Sequence, residues 1–259
     1  MLVTLTTDFG YRDSFVGIMK GVINRINPAA QVIDLTHGIA PQDIMAAALT
    51  LRHSANFFSE GTIHVVVVDP GVGGSRRPLL IECAGNYFIG PDNGVLSLAV
   101  IDKPKQIVEL TNPEYHLKPT RTTFHGRDIF AAVAAHLSRG VPIHSFGAES
   151  STLVELRVPE AVRDETGLAG EIIYIDGYGN LFTNIYQHDL VGLRCANINV
   201  AVGSMRIKNL VSSYDSVESH ELAAVVNSWG ILEIAEYNGN AQQKCNVKVG
   251  DKVAVTCSL

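Results

Sequence analysis

Basic residues are scarce in this chain and nowhere gathered. Lys and Arg together number 20 against 26 Asp and Glu, a formal net charge of −6. A nucleic-acid partner needs clustered cations to displace counterions from phosphates. No such run occurs, so no nucleic-acid partner is expected. Long apolar stretches are missing too: none approaches the roughly 20 residues that cross a bilayer. The opening MLVTLTTDFG has neither the basic n-region nor the apolar h-region of a secretory signal. A cytoplasmic protein with no membrane partner is the expectation. Metal signatures are lacking as well. The four cysteines, Cys83, Cys195, Cys245 and Cys257, form no C-x-x-C pair and read as buried free thiols, and the nine histidines show no H-E-x-x-H spacing. No metal and no cofactor are expected.

What is present is apolar material. With 259 residues and 46% hydrophobic content, the chain can bury a large core, as one large domain or two moderate ones. Leu2 to Thr6 reads as a strand, followed by Phe15, Met19, Val22, Ile23 and Ile26 at helical spacing. The β-to-α step recurs at Val32 to Leu35 with Asp43 to Phe58. In Thr62 to Val68, four consecutive valines suggest a strand buried on both faces. Strands at Leu79 to Cys83, Tyr87 to Ile89 and Gln106 to Leu110, with helices near Gly94 to Ile101 and Asp128 to Arg139, complete an expected α/β sandwich domain over residues 1–150 with a central, mostly parallel sheet. Turn-prone residues 151–166 read as a linker. From Gly167 to Leu259, short β-rich runs alternate with Gly and Asn turns, and a smaller all-β, barrel-like domain is expected.

Four stretches carry polar residues suited to chemistry. Thr6 to Asp13 follows the first strand, where open α/β sheets bind ligands. Asp8 there is placed to accept ribose hydroxyls, while Asp13 is either a ligand group or a helix N-cap. Asp69 to Arg77 follows the valine strand. Its glycines permit close backbone approach, but it lacks the Lys-Ser/Thr ending of a P-loop, and a hairpin with solvated arginines is the plainer alternative. Thr122 to Asp128 precedes an apolar helix; His125 sits where it can meet a substrate, and Asp128 suits a helix start. Ile175 to Ile185 carries Asn180, able to read a base edge, with Tyr178 and Phe182 offering stacking faces. A turn around Asn227 to Gly230 and the polar loop from Glu233 to Ala241 follow.

Taken together and in this order, TDFGYRD, VVDPGVGGSRR, GPDNG, TFHGRDIF, IDGYGNLFTNI and NSWGILEIAEYNGNA resemble the S-adenosylmethionine (SAM) hydroxide adenosyltransferases, relatives of the bacterial fluorinase and chlorinase, over nearly the whole chain. The resemblance implies an N-terminal α/β domain, a C-terminal barrel-like domain, and a homotrimer whose active sites lie where one subunit's first domain meets its neighbour's second. It also implies roles. Asp8 would hold the ribose hydroxyls and Asn180 the adenine edge, with Tyr178 and either Phe182 or Tyr214 on the adenine faces. Asp176 and Ser228 would meet the methionine amino and carboxylate groups, and the backbone near Asn238 would complete the adenine contacts. Asp69, Arg76 and His125 match the water-activating trio of the hydrolytic branch. The halogenating branch carries tyrosines at the Asp69 and His125 positions and an extra loop between the strands that here run from Leu79 to Ile89. The chain departs from that branch at Trp229 and Glu236, where it has arginines.

The implied reaction is hydrolysis of SAM to adenosine and methionine by water attacking the ribose C5′. A sulfonium leaves without protonation, so the nucleophile is the difficulty: water has a pKa of about 15.7, and hydroxide character needs electrostatic support. Two other readings stand beside it, a non-catalytic SAM or adenosine sensor and a metal-dependent nucleoside hydrolase.

Overall fold

The computed structural model describes residues 1–100, 103–165, 167–193 and 197–258. The chain forms two compact units, Met1–Leu156 and Arg157–Leu259.

In the first unit, β1 (Leu2–Thr7) lies between β2 (Gln31–Thr36) and β3 (Ile63–Val67), parallel to both. Every residue of β3 is buried, as the run of valines implies for a strand covered on both faces. One layer over this sheet is α1 (Phe15–Ile26), whose Val16, Met19, Val22 and Ile23 recur at one-turn spacing and are buried. Another helix, α2 (Ile44–Ser54), starts where the Asp43 carboxylate accepts the Ala46 N–H at 2.9 Å. The third begins as a π-helical turn, Gly126–Ala131, and continues as α3 (Ala132–Ser138). Its small residues, Ala131, Ala132, Ala134 and Ala135, are fully buried among Val3, Leu5, Ile63 and Val65.

The sheet continues through β4 (Pro78–Cys83), β5 (Asn86–Pro91), β6 (Gln106–Glu109) and β7 (Ala148–Ser150), in the order β2-β1-β3-β5-β4-β6-β7. It is mixed, not mostly parallel as expected. The β3–β5 pair is parallel, but β4–β5, β4–β6 and β6–β7 are antiparallel. Ala84 and Gly85, both at positive φ, close a two-residue hairpin that forces β4 and β5 to run oppositely. The helix expected near Gly94 to Ile101 is a series of turns. Gly94 adopts φ +99, and the Asn93 and Ser97 side chains bond the local backbone, which competes with helix formation; Ile101 lies outside the described residues. Asp13 is not the N-cap of α1, a position held by Ser14.

The second unit contains β8 (Val162–Arg163), β9 (Gly167–Ile175), β10 (Leu181–Tyr186), β11 (Asn197–Val202), β12 (Met205–Lys208), β13 (Leu222–Val226), β14 (Ile231–Glu236) and β15 (Lys252–Ser258). They pair antiparallel in the order β12-β11-β15-β9-β10-β14-β13, with β8 beside β9. Val211, just past β12, donates to the Ala224 carbonyl of β13 at 2.9 Å, so the two ends of the sheet approach and the unit is nearly barrel-shaped. Two short helices, α4 (Gln187–Gly192) and α5 (Ala241–Cys245), are added to the expected all-β content. Ile172, Leu181, Val200, Ile234 and Val253 are among the fully buried residues inside.

The cysteines do not behave alike. Cys83 and Cys245 are free and buried. Cys257 is disulfide-bonded, not a free thiol as expected, and it is exposed because it lies beyond the last buried position of β15, Val255; Cys195 lies outside the described residues. Among the described residues, no helix is long and apolar enough to cross a membrane.

Candidate active site

Asp69 leaves the C-terminal end of the buried valine run, and the chain then turns through Gly71, Gly73 and Gly74 before Arg76. Gly73 sits at φ +75, and a Cβ there would stand 2.3 Å from the Thr122 carbonyl oxygen. The glycine thus lets this loop press against the segment that delivers His125. Arg76 turns back: its Nε lies 3.0 Å from each Asp69 carboxylate oxygen, and its Nη2 donates to Oδ2. The same Nη2 donates to Nδ1 of His125 at 2.8 Å. Both members of the ion pair are largely buried, with 9% of the Arg76 side chain and 5% of the Asp69 side chain exposed. The guanidinium also lies over the Phe130 ring, 5.5 Å from its centre.

His125 is the N-cap of the π-helical turn, an irregularity common at functional sites. A guanidinium only donates, so Nδ1 must be unprotonated, and the neutral ring carries its hydrogen on Nε2. Burial, and then the Arg76 charge, push the His125 pKa below the usual histidine value; Asp69 and Asp128 oppose them. Asp128 is itself buried and accepts from the Arg127 side chain and the Arg121 N–H. It therefore anchors the loop before the helix, beyond the dipole role expected of it.

The alternative of solvated arginines fails on both. Arg77 binds Asp92, the Ser150 hydroxyl and the Thr152 carbonyl, tying the loop to the far side of the sheet.

Asp69 and His125 line a cavity of about 880 Å³, together with Asp8. Asp8 is held there by the Gln42 N–H, 2.8 Å from its Oδ2. The apolar wall is Phe9, Phe15 and Phe124, whose ring centres lie 5.3 to 5.9 Å apart. The structure therefore gathers Asp8, Asp69, Arg76 and His125, from three separated stretches of sequence.

The remaining candidates gather in the second unit. Asp176 Oδ1 accepts the Tyr178 and Asn180 N–H groups, both at 2.9 Å, and Asn180 Nδ2 reaches Oδ2 at 3.3 Å. Tyr178 at the tip of that turn is 79% exposed. Phe182 is buried against Trp229 and Tyr174, with ring centres at 4.7 and 5.4 Å. Tyr214 donates to the Glu233 carboxylate at 2.7 Å. Ser228 is exposed in the turn that Asn227 holds by accepting the Trp229 and Ile231 N–H groups. Asn238 is exposed at φ +58, with its side chain at Ser219. Sequence reasoning missed Glu233 as a side chain of consequence. Its signal was a lone carboxylate inside the otherwise apolar run ILEIA, where a buried charge needs dedicated partners.

Residues 3–147 match the family model described as the SAM hydroxide adenosyltransferase N-terminal domain, and residues 170–254 match its C-terminal domain. A protein of Salinispora tropica named (R)-S-adenosyl-L-methionine hydrolase is 34% identical over 98% of this chain and 97% of its own length. A protein of the same name from Thermus thermophilus is also 34% identical, over 96% of each chain. Among solved structures, a conserved protein from Thermotoga maritima superposes with a TM-score of 0.89 at 36% identity, covering 99% of this chain and all of that one. On two matched domains and full-length relatives, this chain belongs to the SAM hydroxide adenosyltransferase family.

Proposed function

We propose that the protein hydrolyses S-adenosyl-L-methionine to adenosine and L-methionine, water attacking the ribose C5′ in line with the departing sulfur. The observation that carries this reading is the single guanidinium of Arg76 bridging Asp69 and His125, two residues that line one cavity together with Asp8. Water placed there meets a fixed positive charge and, from neutral His125, an Nε2–H donor. Both stabilise hydroxide character. Asp69 is the member of the trio with oxygen lone pairs to take the water's proton, since Arg76 has none and His125 Nδ1 is occupied. Hydroxide and sulfonium neutralise each other in the transition state, so an aromatic wall favours it over the charged reactants.

In the same reading, Asp8 holds the ribose hydroxyls and Asn180 the adenine edge, and Tyr178 with Phe182 or Tyr214 covers the base. Asp176 and Ser228 meet the amino-acid end, and the Asn238 backbone completes the adenine contacts. As the resemblance to the family implies, a homotrimer with active sites between subunits is the assembly proposed, acting in the cytoplasm. The relatives named as hydrolases and the Asp69 and His125 identities support water over halide as nucleophile. Incubation with SAM, followed by chromatography for adenosine and methionine in equal amounts, tests the reaction; SAM bound but unchanged would leave the sensor reading.

A further inference from the structure

Glu233 is 1% exposed and sits on β14 directly across from Phe182 of β10. Each of its carboxylate oxygens holds a different piece of the second unit. Oε1 accepts the Tyr214 hydroxyl at 2.7 Å, and Oε2 accepts the Asn227 side-chain amide at 2.9 Å. Tyr214 opens the 3-10 turn Tyr214–Ser216, which has no side-chain cap of its own. Asn227 uses its other atom, Oδ1, to hold the Trp229 and Ile231 N–H groups, and so shapes the turn carrying Ser228 and Trp229.

We propose that Glu233 is a positioning residue that sets the Tyr214 turn and the Asn227–Gly230 turn in one register for the substrate. The inference rests on the hydrolase reading and deepens it, since it concerns how the second unit's part of that site is built. An isolated carboxylate at this depth is costly unless its hydrogen bonds are satisfied. Burial, with Asp176 nearby, raises the Glu233 pKa, while the bonds from Tyr214 and Asn227 oppose the rise. Burial, and then the same contact, push the Tyr214 hydroxyl well above its usual range, so it remains a donor. A Leu or Val would suit the apolar strand better; the carboxylate is there for the two loops it ties together.

The chain's one tryptophan, Trp229, lies in the affected turn, stacked on Tyr174 with ring centres 5.6 Å apart. Its fluorescence therefore reports the turn without reference to turnover. The test compares the full-length parent with Glu233→Ala, Glu233→Gln, and Glu233→Gln paired with Asn227→Asp. The pair reverses donor and acceptor between the two side chains and restores the contact.

Loss of charge-assisted hydrogen bonds predicts a KM for SAM raised roughly tenfold or more in Glu233→Ala, with kcat changed by less than about threefold because the water-activating residues are untouched. Its Trp229 emission should shift to the red and become more accessible to acrylamide. Glu233→Gln should fall between, and the paired variant should recover most of the parent's KM and emission. Should Glu233→Ala fail to fold, the Gln and paired variants carry the test. A KM and an emission spectrum unchanged in Glu233→Gln, or a paired variant no better than Glu233→Gln alone, overturn the proposal. A parent that does not turn over SAM refutes the hydrolase reading instead, and the emission spectra still decide whether Glu233 holds the turn.

Discussion

Nη2 of Arg76 lies 2.8 Å from Nδ1 of His125 while the same guanidinium grips both oxygens of Asp69. This geometry determines which histidine nitrogen bears the hydrogen, keeps the ring neutral, and places the positive charge between a base and a donor. A lysine cannot reproduce it, because an ammonium is a point charge without a planar fork. Arg76→Lys should therefore lower kcat by about 10²- to 10³-fold with KM for SAM within about threefold. Steady-state kinetics checks this. A rise in KM with kcat intact would reassign Arg76 to substrate binding.

The pH profile follows from the same contact. Protonating His125 at Nδ1 would set a second cation against Arg76 and break their hydrogen bond, so the neutral ring is the active form. Burial and Arg76 hold its pKa below the ordinary 6.5. Activity is thus retained at neutral pH, and the acid limb of the kcat/KM profile should fall below 6.5. A limb centred above 6.5 would show that His125 is not the group that titrates.

Gly73 gives a test of the loop. Alanine there adds a Cβ 2.3 Å from the Thr122 carbonyl oxygen and strains a φ of +75. Gly73→Ala should lose roughly 1–3 kcal/mol of stability and lower kcat, because the displaced loop carries Arg76. Gly17 in α1 is the control: a Cβ there meets open space, and Gly17→Ala should hold or raise the Tm. Thermal melts and kinetics on the two variants distinguish a local effect from general fragility.

Stability should fall with acid for a reason separate from catalysis. His64 is fully buried on β3, hydrogen-bonded to the Thr4 hydroxyl at 2.8 Å and stacked on Phe88, and burial lowers its pKa from 6.5 to about 4. The unfolded chain takes up this proton below 6.5 and the folded chain only near 4. The contribution of the neutral ring is therefore complete above 6.5 and lost between 6.5 and 4, an effect of about 3 kcal/mol. The slope of stability against pH should shrink in His64→Phe without vanishing, since His53 is lowered to about 4 as well. Denaturant unfolding from pH 4 to 7 measures it.

How much of this was legible in the sequence differs by feature. Periodicity located α1 and the buried β3, because amphipathic spacing and a run of valines report burial directly. Sheet direction was not legible in the same way: β4 and β5 look like any short apolar runs, and the two-residue turn at Ala84 and Gly85 that makes them antiparallel is not a strong hairpin signal. Gly94 and Asn93 sit at the head of an apolar stretch with helix-like spacing, yet their local bonds win over that pattern. In the site, the Asp69 and Arg76 spacing was visible as sequence, but its meeting with His125 depends on a close approach at Gly73 that only coordinates reveal. Glu233 was passed over because it reads as the head of a polar loop running to Ala241, whereas it lies buried inside β14 with both neighbouring turns converging on it.

The most direct test of the central claim is a reaction in water enriched in oxygen-18. Attack of water at C5′ predicts one labelled oxygen on the 5′ carbon of the adenosine, methionine released in equal amount, and loss of both products in Asp69→Asn. Adenine as the product, unlabelled adenosine, or undiminished turnover in Asp69→Asn would contradict the account.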